Sequence, residues 1–442
     1  MNSDIEALLD QTPIRSVQRI ALAMVTTAII LEGFDIQLIA FVAPVLAAEW
    51  GIAKSDMSYV VAAALIGMAA GSASGGWFGD RWGRRPAMIA TVSLFGMATL
   101  LAAFAENIWH IAILRGFAGI AFGAAIPNAT TLIAEWMPPR LRGRAVGIVV
   151  IGVPLGGMLG ATICSWLIPA WGWRAAFVLG GALPLSVALM MLVALPESLR
   201  FLIERQSQSP AIARLMHRLG GSNQTSTASS ASTGKSSDLH DRAALFDGRY
   251  RRTNSGLWIA FFANLCAAYA FFSWTPMLLT DLGLPPGTAI SGSIYFNLFG
   301  ILGAVICSWA VSSIGSRAVM LGAATLGMSA TIGLAIGLSG ASTISELWPV
   351  MLGLSLAGAA VIGFQTVLYV LAANAFETSC RASGVGTAAA FGRIGGITSS
   401  FGGGYILSLE STTGSFLFAV SMLFVMSGVG AAIVDRQIPR KR

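Results

Sequence analysis

IALAMVTTAIILEGFDIQLIAFVAPVLAA, residues 20–48, carries only two charges, Glu32 and Asp35, near its middle. About 20 consecutive apolar residues cross the hydrocarbon of a bilayer as a helix, so this stretch is long enough to span it. An ionised carboxylate at such a depth costs about 2.5–3.5 kcal/mol even on the milder insertion scales, and therefore faces a protein-lined or wet interior. Spacing of i and i+3 puts both acids on one helix face. That face is expected to line a cavity, with Glu32 and Asp35 as candidate proton or cation sites.

The remainder of the chain repeats this character. Its 442 residues are 55% hydrophobic and 11% charged, against about 25% charged in soluble domains. The fold class read from this pattern is an all-α membrane protein of twelve transmembrane helices, at 18–46, 56–79, 87–105, 109–134, 144–168, 174–195, 256–280, 288–312, 318–339, 346–373, 383–408 and 414–435. Of 27 Lys and Arg, Lys54 and Arg174 fall at one set of span ends and Arg115 and Arg393 inside spans. All the others lie on the opposite side, which the positive-inside rule makes cytoplasmic. Both termini are expected there, in a cell membrane of the bacterial inner-membrane type. The basic pI of 9.6 then reflects topology and implies no nucleic acid partner.

Several function classes drop out. Residues 1–19 contain acids, unlike a cleavable signal, so the first span is expected to stay in the mature chain. Cys164, Cys266, Cys307 and Cys380 have no paired spacing, which predicts neither structural disulfides nor a metal site. Histidine stands only at 110, 217 and 240, with no nucleophile constellation around it, so no enzyme and no cofactor is expected. No GxxxxGK[ST] loop occurs, which argues against ATP as the driving force. Gly71, Gly75, Gly79, Gly119 and Gly123 recur inside apolar spans as small-residue packing positions.

The chain divides in two. Residues 196–255 are polar, include SNQTSTASSASTGKSS, and read as a linker unable to bury a core. Domains are thus expected at 1–195 and 256–442, each a six-helix bundle. GSASGGWFGDRWGRRPAM from Gly71 aligns without gaps on GAVICSWAVSSIGSRAVM from Gly303, with Asp80 becoming Ser312 and Arg84 becoming Ser316. RGRAVGIVVIGVPLGG from Arg142 aligns on RASGVGTAAAFGRIGG from Arg381, which sets Arg393 where the first half has Pro154. Six-helix repeats around a midplane site are a transporter plan.

GDRWGRR at 79–85, RGFAGIAFG at 115–123, EWMPPRLRGRAVG at 135–147 and LPES at 195–198 resemble the motifs of the major facilitator superfamily over nearly the whole chain. Within it, EGFDIQ at 32–37, GAAIPN at 123–128 and RASGVGTAAAFGRIGG at 381–396 look like the aromatic acid:proton symporters, with Glu32 where that family generally has Asp. The resemblance implies alternating access, proton-coupled uptake of a small aromatic carboxylate (benzoate, hydroxybenzoate or phenylpropionate) and a monomer. It also implies that contacts around Asp80, Arg84 and Arg142 latch the outward-open state. The arginines alone also fit plain positive-inside anchoring.

Depth along the helices assigns the remaining candidates. Arg115 lies about six residues from its outer span end, or ~9 Å, within the depth band of Asp35. The pair is either a coupling element that cargo loosens or a static buried ion pair. Glu32 is either a second protonation site or a hydrogen-bonded acid that steadies the cavity. Arg393, ~18 Å from its cytoplasmic end, offers a planar two-bond grip on a carboxylate. The second-half acids Asp281, Glu346, Glu377 and Glu410 all sit at span ends and cannot neutralise it. Gln37, Asn128, Asn264, Asn297 and Gln365, with Tyr269 and Tyr369, are candidate pocket residues or interhelical ties. Phe34, Phe271, Phe272, Trp274, Phe296 and Phe391 are candidates to clasp a ring. GVPLGG from Gly152 resembles drug:proton antiporters, the rival reading. A membrane sensor is disfavoured, because the linker is too short and polar to be a folded domain.

Overall fold

The computed structural model describes residues 14–198, 201–202, 248–338, 347–377, 380–408 and 413–440. The first thirteen residues, 203–247 of the linker, Glu346 and Glu410 lie outside the described residues. The chain forms α1 (Ser16–Trp50), α2 (Lys54–Trp82), α3 (Arg84–Ala102), α4 (Ile108–Trp136) and α5 (Pro139–Ala194). After a 3-10 turn at Gly248–Tyr250 come α6 (Arg251–Asp281), α7 (Pro286–Ile314), α8 (Ser316–Leu338), α9 (Trp348–Ala375), α10 (Arg381–Ser408) and α11 (Thr413–Ile433). Among the described residues, ten of these helices are long and apolar enough to cross a membrane.

Local chemistry sets the helix ends. Gly83, at φ 108, lets α2 stop and α3 start without an intervening loop, and Gly315, at φ 85, does the same between α7 and α8. The Asn107 side chain accepts the His110 backbone N–H at 3.0 Å and opens α4. A straight helix as long as α5 would run ~84 Å, well beyond a ~30 Å hydrocarbon core. It is broken at Gly172, whose φ is 78. A Cβ at Gly160 or at Gly180 would meet the ring of Phe34, so the two arms of α5 lie side by side.

Two bundles result. In the first, α1 packs on the leading arm of α5 and α2 on α4; in the second, α6 packs on α10, α7 on α9 and α8 on α11. Glycine makes these approaches possible. A Cβ at Gly71 would lie 1.9 Å from the Ile120 carbonyl oxygen, and one at Gly303 would lie 2.3 Å from that of Ala359. Both ends of the polar connection belong to the bundles. Leu195 and Leu202 are buried, Tyr250 is fully buried, and α6 begins at Arg251, ahead of the expected boundary at 256.

One face of the molecule carries both ends of the described chain, together with the α2–α3 and α7–α8 turns. Here Gln18 donates to the Trp136 carbonyl at 2.9 Å, and Arg85 and Arg317 donate to the carbonyls of Leu192 and Ala432. Glu197 accepts the Arg85 backbone N–H at 3.0 Å. Burial pushes its carboxyl above the usual range, against the lowering effect of the backbone donors and Arg85. At the opposite face Lys54 pairs with Asp281 across the two halves at 2.5 Å, and Arg174 pairs with Glu49 within the first half at 3.1 Å. Tyr59 meets Phe401 edge-on at 5.9 Å, and Gly287 comes up against Ser165, so the halves close on each other at this opposite end.

Candidate transport site

Asp35 is held entirely by its own half. The Arg115 guanidinium donates to its carboxylate at 2.8 Å and to its backbone carbonyl at 2.9 Å, while Thr99 on α3 donates to the second carboxylate oxygen at 2.6 Å. Arg115 also reaches the Thr99 hydroxyl, and its charge lies 5.8 Å from the ring of Phe177 and 6.0 Å from that of Phe122. All three polar side chains are at most 1% exposed. The pairing expected from depth is present, and Thr99 completes it. A threonine in an apolar span carries no sequence signal that separates such a partner from one bonding its own helix.

Glu32, three residues earlier, stands in the opposite situation. It is fully buried and neither carboxylate oxygen has a hydrogen-bond partner. The opposite charge acting on it is that of Arg393, from the other half. No ion pair joins them, and Arg393, half-buried on α10, makes no hydrogen bond within the described residues. Among the described residues, the acid nearest in effect to Arg393 is thus not one of the second-half acids but Glu32, from across the seam.

Two tyrosines flank Arg393. Gly392 faces the Leu265 side chain and the Phe261 carbonyl, and the Phe261 ring meets Tyr369 edge-on at 5.0 Å. Gly396, one turn further along α10, rests on the ring of Tyr269. The Arg393 charge acts on both phenols. Tyr369 is 39% exposed.

The other expected pocket residues separate into ties and open positions. Gln37 and Asn297 bond reciprocally across the seam at 3.1 and 2.9 Å, both essentially buried. Asn128 donates to the Gly75 and Ala124 carbonyls at 3.0 and 2.9 Å, tying α2 to α4. Asn264 is fully buried with neither amide atom partnered. Gln365 is half-buried. Among the aromatics, Phe34 fills space between the arms of α5, and Phe271, Phe272 and Phe296 form one stack. Trp274 is buried on Gly403, and Phe391 stacks on Trp258 at 4.5 Å. Asp80 pairs with Arg84 one turn away, inside the first half, and Arg142 is half-buried near the start of α5. The glycines of GVPLGG serve packing, since a Cβ at Gly156 would lie 1.8 Å from the Ile30 carbonyl oxygen.

Comparison with known proteins places the chain in a family. A gallate transporter of Pseudomonas putida is 34% identical over 97% of this chain and 92% of its own length. The 4-hydroxybenzoate transporter PcaK of the same organism is 32% identical over 97% and 95%. The solved D-xylose-proton symporter shares the fold, with a TM-score of 0.73 at 19% identity over 96% of this chain and 99% of that one. The family model described as Major Facilitator Superfamily matches residues 25–344. Two pseudo-symmetric helical bundles meeting at a charged seam, and relatives aligned nearly end to end, lead to one conclusion: the chain belongs to the Major Facilitator Superfamily.

Proposed function

We propose that the protein imports a small aromatic carboxylate together with a proton, by alternating access, as a monomer with twelve crossings in a bacterial inner membrane. The face bearing the described chain ends is cytoplasmic on this reading, because it gathers nearly all the Lys and Arg. One observation carries the proposal: among the described residues, a mid-membrane arginine at the seam has no hydrogen bond or ion pair, and the acid across from it is fully buried without a donor. Arg393 takes the cargo carboxylate through two parallel hydrogen bonds. Glu32 takes the proton as the cargo anion occupies Arg393, because that removes the opposite charge facing a buried carboxylate that has no donors. With Glu32 neutral, the cargo becomes the anion that Arg393 faces. Asp35, bonded to Arg115 and Thr99, holds α1 against α3 and α4.

The names of the aligned relatives, transporters of gallate and 4-hydroxybenzoate, support an aromatic acid as cargo. An anionic cargo also sets this reading ahead of cation export, in which an acid would stand where Arg393 stands. Uptake of labelled aromatic acids into proteoliposomes, with and without an inward proton gradient, tests the proposal. Accumulation is expected only with the gradient, and accumulation that survives its collapse would refute the coupling.

A further inference from the structure

The two phenols beside Arg393 are unusual in what they fail to bond. The Tyr269 hydroxyl has a single contact, the Met68 thioether sulfur at 3.4 Å, and a thioether is a weak acceptor. The Tyr369 hydroxyl makes no hydrogen bond within the described residues, and its residue is 39% exposed. Phenols packed inside a helical bundle normally find a partner for their hydroxyl, and neither of these has a strong one. Packing fixes both rings all the same. Tyr369 is held edge-on by Phe261 at 5.0 Å, and Tyr269 by Phe272 at 6.1 Å and by the backbone of Gly396. Arg393 lies one residue from Gly392, which faces Leu265 and the Phe261 carbonyl, and three residues from Gly396, which rests on Tyr269, and its charge acts on both phenols. Two oriented hydroxyls, each able to donate and accept, thus bracket the one unpaired cation of the seam among the described residues.

Resting on the reading of Arg393 as the carboxylate anchor, we propose that Tyr269 and Tyr369 are specificity-determining residues that hydrogen-bond a hydroxyl on the cargo ring, so that the protein selects phenolic acids over unsubstituted ones. A site built to bond a hydroxyl rejects the analogue lacking it, because its own polar groups are then left unpaired. Packing alone would need only the rings, and phenylalanine supplies those.

The experiment measures binding of 4-hydroxybenzoate and of benzoate to the purified full-length protein and to Tyr269→Phe, Tyr369→Phe and the double variant. Tyr405→Phe, at a residue 64% exposed and outside the cluster, serves as control. Wild type is expected to prefer the hydroxylated acid, with the ratio of the two affinities falling by about tenfold or more in the double variant and unchanged in the control. Affinities that fall in parallel for both acids, or a ratio that does not move, overturn the assignment while leaving the anchor in place. Wild type that binds neither acid overturns the anchor and the assignment together.

Discussion

The two halves share their construction and differ in their charges. Gly83 and Gly315 make the same turn, and Arg85 and Arg317 cap the ends of the corresponding helices at Leu192 and Ala432. Gly156 seats α5 on the Ile30 carbonyl, and its counterpart Gly395 seats α10 on that of Phe262. The spacing that carries Gly71 onto Gly303 also carries Ile30 onto Phe262, Glu32 onto Asn264, Asp35 onto Ala267, Gln37 onto Tyr269 and Thr99 onto Thr331. Thr99 bonds Asp35, whereas Thr331, with only Ala267 at the equivalent place, bonds the Gly327 carbonyl of its own helix at 2.8 Å. Backbone packing is therefore duplicated, while polar chemistry is concentrated where the copies diverge. Glu32 against Asn264 and Arg393 against Pro154 are the two divergences that meet at the seam.

The largest expected effect on cargo binding comes from removing the second half's divergence. Arg393→Ala should weaken binding of a benzoate-like acid by on the order of a hundredfold, as truncating one partner of a desolvated, hydrogen-bonded charge pair does. Arg393→Lys keeps the charge without the planar fork and should fall between. The matching amide should bind poorly to every version. Equal affinity of wild type for acid and amide would remove the carboxylate anchor and restore cation export as the better reading.

The two mid-helix acids of α1 should part company in stability. Asp35→Asn leaves Arg115 buried without its countercharge, a change that typically costs about 3–5 kcal/mol. Glu32→Gln exchanges one unpartnered buried polar group for an uncharged one of the same shape and should be neutral or stabilising, within about 1 kcal/mol. Thermal unfolding of the two variants in detergent decides this. Equal losses would mean that Glu32 is held as firmly as Asp35.

A smaller effect should appear at the face bearing the described chain ends, where the halves use different acceptors. Glu197 accepts the Arg85 N–H, and in the second half the neutral Gln437 accepts the Ser316 hydroxyl at 2.6 Å. The Glu197 carboxyl is raised by burial. A raised folded-state value means the folded chain holds that proton more tightly, so the contribution is complete at low pH and is lost as pH rises through the folded value. Glu197→Gln should flatten that part of the stability profile, and melting curves across mildly acidic to neutral pH would show it. An unchanged slope would place the dependence elsewhere.

Much of this architecture is written locally. Long apolar runs fix the spans, Gly83 and Gly315 announce their turns, and the depths of Asp35 and Arg115 along their helices suffice to pair them. Contacts across the seam are not local. Nothing in the neighbourhood of Gln37 points to Asn297, and nothing around Arg393 points to Glu32, because each pairing depends on how two separately folded bundles are set against each other. The same holds for Tyr269 and Tyr369, which come together only through Phe261, Gly392 and Gly396. Repeat arithmetic finds equivalent positions, but not which divergent positions will face each other.

The central claim is that cargo binding at Arg393 is linked to protonation of Glu32. The direct measurement is proton uptake from a weakly buffered solution when 4-hydroxybenzoate is added to purified protein, compared between wild type and Glu32→Gln. Wild type should take up a proton as it binds the acid, and Glu32→Gln should bind without one. Undiminished proton uptake by Glu32→Gln would contradict the claim and move the proton to another group.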